Sequence, residues 1–182
     1  MSHLGRPKGG PEERYSLKHT LRATEKLLGV PVKFVSDCIS DEAFSLSSSL
    51  KPGEVLLLEN LRFYKEEEKG DENFAQKLSK HGDIYVNDAF GTAHRAHAST
   101  TIVARFFRDK CAGYVMAAEL DNARRVMENA ERPFTAIMGG AKISDKILII
   151  EQLLQRVDHL IIGGGMAYTF FKALGGKTGS SL

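Results

Sequence analysis

Residues 134–167, FTAIMGGAKISDKILIIEQLLQRVDHLIIGGGMA, decide the fold class. Apolar residues dominate 134–138 and 159–162, as is typical of strands that are buried on both faces of a parallel sheet. Between them, apolar side chains recur at helical spacing, so we predict a helix over 144–157 and a further helix over 166–174. Strand, helix and strand in this order form the repeating unit of α/β proteins.

The rest of the chain alternates in the same way, which predicts a doubly wound α/β architecture with parallel sheets. The charge run 65–72 is interpreted as a solvated loop, and 90–99 as a glycine-containing segment. We predict strands over Val32–Val35, Val55–Leu58 and 83–86, and helices over 20–28, 41–50, 72–80 and 117–129.

A polar helix followed by Glu131-Arg132-Pro133 indicates a boundary between two α/β units, because a proline there interrupts regular structure before the next strand. We predict the first unit over 1–116, a connecting helix over 117–130 and the start of a second unit over 131–182. The chain begins in a strand-to-helix loop and ends in a segment with no closing element, so we expect it to be part of something larger.

Composition excludes several classes of protein. The 182 residues carry 25 Lys and Arg against 23 Asp and Glu, a net charge of +2, which argues against a nucleic-acid binder that relies on a global basic field. Two cysteines without metal spacing favour free thiols in a reducing compartment. No signal-peptide pattern or membrane-length apolar run is found, so we expect a soluble, cytoplasmic protein with no membrane partner.

Cationic side chains follow several of the predicted strands. Because ligands of open parallel sheets bind beyond the carboxyl ends of the strands, we expect these side chains to converge on one pocket. Arginine forks and imidazoles around one cleft suit a small, multiply anionic ligand such as a phosphorylated carboxylate. The members of this predicted anion site are His3, Arg6, Arg62, Arg95 and His97.

Other interpretations of these residues remain open. Each arginine could instead pair with a surface carboxylate, since such pairs are common. His94 and His97 have the spacing of a metal pair, but no cysteine or carboxylate in ligand spacing accompanies them, so we predict no metal ligands. Asp88 with these histidines could form acid–base machinery, although no nucleophile motif lies beside them.

A second candidate site lies in Gly139-Gly140-Ala141-Lys142, which follows a predicted strand. Glycines there let backbone N–H groups approach a phosphate, and the following helix adds its dipole. Lys142 and Lys146 are four residues apart and can reach the same side of the helix start, where two ammonium groups could neutralise a phosphoryl group in transit. The alternative is a tight turn followed by solvent-exposed lysines.

The triplet Gly163-Gly164-Gly165 repeats the order strand, glycines, helix. It could bring a flat purine against the backbone, or it could only permit close packing between helix and strand. A glycine triplet is a weak signal by itself.

Five motifs together resemble the phosphoglycerate kinase family, in the family's order and along essentially the whole chain. Each motif alone would be less specific than the set. They are SHLGRP at 2–7, LENLR at 58–62, NDAFGTAHRAH at 87–97, GGAK at 139–142 and GGGMA at 163–167.

The resemblance implies a glycolytic transferase with two Rossmann-like domains joined by a helix. It implies reversible phosphoryl transfer from 1,3-bisphosphoglycerate to ADP, giving 3-phosphoglycerate and ATP with Mg²⁺, by a monomeric enzyme. Residues 1–116 correspond to part of the substrate domain, 117–130 to the interdomain helix and 131–182 to the start of the nucleotide-binding domain.

The resemblance also implies roles for individual residues. The five cations of the predicted anion site match substrate-binding positions, and Lys142, Lys146 and Arg6 are the expected catalytic residues. The expected nucleotide-binding residues are Gly139, Gly140, Lys142, Lys146, Gly163, Gly164 and Gly165.

Two departures from the family pattern qualify these expectations. The family's opening segment is absent, and so is most of its nucleotide domain. We therefore expect the isolated chain to have little or no kinase activity, and the alternative function is a catalytically inactive fragment that only binds phosphoglycerate.

Overall fold

The computed structural model describes residues 1–181, so Leu182, with which the predicted unit 131–182 ends, lies outside the described residues. The chain divides into two compact units, Met1–Leu120 and Asp121–Leu182. Within the described residues, no helix combines the length and the apolar character that crossing a membrane requires.

The first unit contains two small parallel sheets. Strand β1 (Val32–Val35) pairs with β2 (Val55–Leu58), and β3 (Ile84–Asn87) pairs with β4 (Asp109–Ala112). The helices are α1 (Leu21–Leu28), α2 (Asp41–Ser48), α3 (Lys65–Lys69) and α4 (Glu72–Leu78), with a π-helix at Ala98–Ile102. Short 3₁₀ turns lie at Glu13–Tyr15, Leu17–Thr20, Leu61–Phe63, Ser79–His81, Phe90–Thr92 and Val103–Phe106.

Local signals explain several helix ends. The Ser40 hydroxyl accepts a hydrogen bond from Ala43 N, and the Asp71 carboxylate accepts one from Phe74 N, so both residues cap the helices that follow them. Gly29 ends α1 at a φ of 70°, a left-handed conformation that favours glycine.

The core of the first unit lies between its sheets and helices. Burial of these apolar side chains is the main favourable contribution to folding. The buried set includes Val35, Cys38, Ala43, Leu58, Leu61, Phe74, Leu78 and Val103.

Helix α5 (Tyr114–Glu128) runs from the first unit into the second. The second unit pairs β5 (Thr135–Gly139) with β6 (His159–Gly163) in parallel, and α6 (Ile147–Leu154) connects the two strands. A 3₁₀ turn at Ser144–Lys146 precedes α6, and α7 (Met166–Ala173) follows the glycine triplet.

The α/β class and the parallel pairing are confirmed, with both domains incomplete and each sheet limited to two strands among the described residues. Two local predictions are wrong. The expected solvated loop at 65–72 contains α3, whose Glu67 is only 3% exposed. The predicted helix over 144–157 starts as an α-helix only at Ile147, after a 3₁₀ turn.

Candidate functional site

The loop at the N-terminus is held against the end of β2 by hydrogen bonds over a long sequence separation. The Asn60 side-chain nitrogen donates to the carbonyls of Leu4 and Tyr15, at 2.8 Å each. Arg62 Nη1 donates to the Gly5 carbonyl at 3.0 Å. Residues that follow β2 therefore fix the position of the segment that carries His3 and precedes Arg6.

Glu59 is the buried carboxylate of the same motif and is 7% exposed. It accepts hydrogen bonds from Ser16 Oγ at 2.6 Å, Leu17 N at 2.8 Å and Asn60 N at 2.7 Å. In the sequence, Glu59 and Asn60 are part of the LENLR motif, but nothing there indicates their individual roles. Their burial was the missing information, because two polar residues after an apolar strand otherwise indicate a loop.

His3 lies among three other members of the predicted anion site. Its pKa is lowered first by burial and then by the positive charges of Arg62, His97 and Arg95, while Glu68 acts in the opposite direction. Charges act on a partly buried group mainly at short range. The structure therefore brings His3, Arg62, Arg95 and His97 together.

His3 and His97 line one cavity of about 420 Å³, which we call the histidine cavity. His97 is 7% exposed, and the wall also contains Glu67, Asn87 and Thr100. The cavity lies beyond the carboxyl end of β3, where parallel sheets bind ligands.

Arg62 reaches a neighbouring groove of about 380 Å³ that Lys8 and Lys65 also line. Its side chain is 9% exposed, and its Nε lies 3.4 Å from Glu68 Oε1. That distance suits an ion pair, yet the buried Nε has no hydrogen-bond partner among the described residues. The Gly5 carbonyl and the Glu68 carboxylate thus hold the guanidinium in place.

The remaining two arginines of the prediction differ in how firmly they are held. Arg95 is exposed, and its Nε lies 3.3 Å from His94 Nε2. Arg6 is also exposed, and within residues 1–181 no hydrogen bond or ion pair brings it to the other four cations.

A carboxylate that the sequence analysis considered only for acid–base chemistry has a structural contact. Asp88 Oδ1 accepts a hydrogen bond of 2.8 Å from Met116 N in the first turn of α5. Asp88 also lines the histidine cavity, so the cavity wall is connected to the start of α5.

The glycines of the second predicted site contact each other directly. A Cβ at Gly164, where φ is +67°, would lie 3.0 Å from Gly140 N, and one at Gly165 would lie 3.3 Å from Ala141 Cα. Met166 N donates to the Gly140 carbonyl at 2.8 Å. Close packing of the loops after β5 and β6 therefore accounts for these glycines, whatever else they bind.

The two lysines of this site occupy different surroundings. Lys146 lies in the 3₁₀ turn before α6, and its Nζ would be 3.0 Å from a Cβ at Gly140, so the ammonium lies over the glycine loop. Lys142 is exposed in the loop before that turn. The expectation that both lysines reach the same side of the helix start stays a prediction.

Known proteins are similar to this chain along its whole length. The family model described as phosphoglycerate kinase matches residues 1–182. The chloroplastic phosphoglycerate kinase of Volvox carteri is 55% identical over 181 residues, 100% of this chain and 39% of the relative. The phosphoglycerate kinase of Moorella thermoacetica is 54% identical over 182 residues, 100% of this chain and 46% of the relative.

Solved structures give the same result for the fold. Phosphoglycerate kinase from Coxiella burnetii superposes with a TM-score of 0.83 at 41% identity, covering 100% of this chain and 45% of that one. The enzyme from Pyrococcus horikoshii OT3 superposes with a TM-score of 0.79 at 34% identity, covering 97% and 45%. The fold is thus the Rossmann-like α/β fold of these structures, and the chain spans less than half the length of its relatives. This chain belongs to the phosphoglycerate kinase family.

Proposed function

We propose that this chain is part of a phosphoglycerate kinase, which transfers a phosphoryl group reversibly from 1,3-bisphosphoglycerate to ADP and gives 3-phosphoglycerate and ATP. Family membership supports this assignment. Because the chain covers only 39–46% of its curated relatives, we propose a second candidate, an inactive fragment that only binds phosphoglycerate.

We assign phosphoglycerate binding to residues 1–116, with 117–130 as interdomain helix and 131–182 as the start of the nucleotide-binding domain. One observation supports the first assignment most, namely the cavity that His3 and His97 line inside the first unit. Arg62 and Arg95 bind the phosphate and carboxylate through charge-assisted hydrogen bonds, and the remaining predicted substrate-binding residues are His3, Arg6 and His97.

In the second unit, Lys142 and Lys146 stabilise negative charge on the phosphoryl group that is transferred. Arg6, which belongs to the first unit, is the third catalytic residue of the proposal. Positioning and charge neutralisation suffice for this transfer, so no covalent nucleophile is needed. The placement of Lys146 Nζ over Gly140 supports its role.

ADP and ATP, when bound, supply the phosphoryl acceptor and donor. We propose that Gly139, Gly140 and the triplet 163–165 bind the nucleotide together with the two lysines. At Gly139 the nearest atom would be 3.8 Å from a Cβ, and this room supports a close approach by a phosphate or a base.

Mg²⁺ is the second cofactor that the family resemblance implies. Among the side chains that the structure describes, no group of three or more His, Cys, Asp or Glu is arranged to hold a metal ion. We therefore derive no step through Mg²⁺ from these residues.

We further propose that the complete enzyme is a cytoplasmic monomer whose partners are small molecules and neither nucleic acid nor membrane. One relative, from Triticum aestivum, is named as cytosolic, whereas the Volvox carteri protein is chloroplastic. Size-exclusion chromatography with light scattering and fractionation of the source cells test both statements.

Separate calorimetric titrations with 3-phosphoglycerate and ADP test the function, together with a coupled assay of ATP formation. We expect the chain to bind 3-phosphoglycerate and to show little or no turnover. Binding of both ligands with turnover near that of a full-length relative would instead favour an active enzyme, and failure to bind 3-phosphoglycerate would refute the assignment of the first unit.

A further inference from the structure

Glu67 differs from the other charged residues of α3. Its neighbours Glu66 and Glu68 are exposed, whereas Glu67 is 3% exposed and lines the histidine cavity. A buried carboxylate is costly unless it is well paired. Burial raises the pKa of Glu67, while hydrogen bonds from Ser99 and the charges of His97 and Arg62 act in the opposite direction.

The carboxylate of Glu67 is fully engaged with one residue of the π-helix. Its Oε2 accepts from Ser99 N at 3.0 Å, and its Oε1 accepts from Ser99 Oγ at 2.5 Å. Ser99 is separated from His97 by one residue, and His97 is the N-cap of the π-helix. The contact thus fixes the backbone immediately after a residue of the predicted anion site.

A second contact from the same element holds the other side of His97. Gly70 ends α3 at a φ of 67°, and a Cβ there would lie 2.3 Å from the Ala96 carbonyl oxygen. Only a residue without a side chain leaves room for this approach. Residues 96 and 99 are therefore both packed against α3 and its C-terminal glycine.

The π-helix passes this constraint on to Arg95. The hydroxyls of Thr100 and Thr101 donate to the Arg95 carbonyl at 3.1 and 3.0 Å. A connected set of hydrogen bonds therefore runs from Glu67 through the first turn of the π-helix to the backbone of Arg95. π-Helical turns occur frequently at functional sites.

A negative charge repels an anionic ligand. The presence of Glu67 in the wall of this cavity therefore needs an explanation other than direct attraction of the ligand. We propose that Glu67 is a positioning residue, which holds segment 95–99 so that Arg95 and His97 face the bound phosphoglycerate. This inference rests on the proposed function. Glu67 itself acts through Ser99 and does not touch the ligand.

The test uses the whole chain with Glu67→Gln, and Glu66→Gln as a matched control with the same charge change on the same helix. Glutamine has one acceptor oxygen, so it replaces two charge-assisted Ser99 hydrogen bonds with at most one accepted bond and one reversed, neutral bond from its amide nitrogen to Ser99 Oγ. We expect Glu67→Gln to weaken 3-phosphoglycerate binding by about tenfold in calorimetry. We also expect shifts in the backbone amide NMR signals of residues 95–99 in the free chain, and neither effect in Glu66→Gln.

A second pair of variants covers the case in which Glu67→Gln does not fold. Ser99→Ala removes only the hydroxyl bond, while Ser99→Thr keeps both donors, so we expect about threefold weaker binding in the first and near-normal binding in the second. Rescue by threonine would not follow from a general loss of packing.

The outcomes separate this inference from the function on which it rests. Unchanged amide signals at 95–99 in Glu67→Gln, or a lower unfolding midpoint with unchanged affinity for 3-phosphoglycerate, would overturn the positioning role. If the unmodified chain fails to bind 3-phosphoglycerate while Glu67→Gln still moves those signals, the proposed function fails and Glu67's hold on the segment is supported.

Discussion

The side-chain nitrogen of Asn60 donates a hydrogen bond of 2.8 Å to the carbonyl oxygen of Leu4, across 56 residues of sequence. Asn60 is 1% exposed, and it follows β2 at the end where a parallel sheet binds its ligands. The motif that contains it therefore has a structural role, because it places the loop of His3 beside the histidine cavity.

Replacing Asn60 tests this structural role. Asn60→Ala leaves two carbonyl oxygens without their donor, those of Leu4 and Tyr15, and opens a small void. We expect the free energy of unfolding in urea to fall by about 2–4 kcal/mol. Asn73→Ala, at an exposed site on α4, is the control and should change it by less than about 0.5 kcal/mol. Equal urea midpoints for the two variants would contradict the role.

Arg62 lines a groove together with Lys8 and Lys65, and this group of positive charges suits it to bind an anion. We expect Arg62→Ala to weaken 3-phosphoglycerate binding by at least about tenfold in calorimetry. Arg62→Lys should recover part of this loss, since it restores charge without the planar fork. Arg22→Ala, an exposed arginine on α1, should bind normally. A similar loss in Arg22→Ala would indicate nonspecific attraction of the anion.

Gly164 has a conformation and surroundings that both exclude a side chain. Its φ is +67°, and a Cβ would lie 3.0 Å from Gly140 N, which is backbone and cannot turn aside. We expect Gly164→Ala to lower the stability of the second unit by about 1–3 kcal/mol, measured by hydrogen exchange of β6 amides. At Gly139 the nearest atom would be 3.8 Å from a Cβ, so Gly139→Ala is the control. The β6 amides should exchange more slowly in this variant than in Gly164→Ala.

The sequence predicted the fold where the signal was local and apolar. The strands Val32–Val35 and Val55–Leu58 were predicted with the bounds that the structure has, because continuous β-branched and aliphatic residues identify buried strands. The strand β4, with the sequence DKCA, was missed because all four of its residues are exposed and two are charged. Only pairing with β3 reveals it.

Prediction of the site residues from sequence was also limited to local signals. Motifs predicted the cations that meet around His3, since arginine and histidine are recognisable at strand ends. The carboxylates that hold the loops, Glu59 and Glu67, look like ordinary surface charges in the sequence. Their burial depends on tertiary contacts with Ser16 and Ser99, which lie 43 and 32 residues away.

The pH dependence of stability should include a contribution from His81. Its Nε2 lies 2.8 Å from the Cys38 carbonyl and its Nδ1 lies 2.9 Å from Ser47 Oγ. Burial lowers the pKa of His81 below its ordinary value of 6.5, so the folded chain favours the neutral ring. As the pH falls through 6.5, the unfolded chain therefore binds more protons than the folded chain does, and the free energy of unfolding must decrease.

Urea unfolding between about pH 8 and about pH 5 measures this effect. His81→Gln should make the free energy of unfolding depend less on pH. Some dependence of the same sign should remain, because the pKa of His3 is also lowered. A steeper fall of stability with acid in His81→Gln would contradict the assignment.

The apolar face of β5 and β6 predicts that the isolated chain self-associates. Ile137 pairs with Ile161 across the two strands, and these side chains are 77% and 52% exposed. Exposed apolar faces next to open strand edges promote pairing between chains. We expect Ile137→Thr with Ile161→Thr to reduce light scattering of concentrated samples without lowering the free energy of unfolding. Ile150→Thr, on α6 and 6% exposed, is the control and should lower the free energy of unfolding by about 1–3 kcal/mol. Scattering that persists in the double variant would show that other surfaces drive association.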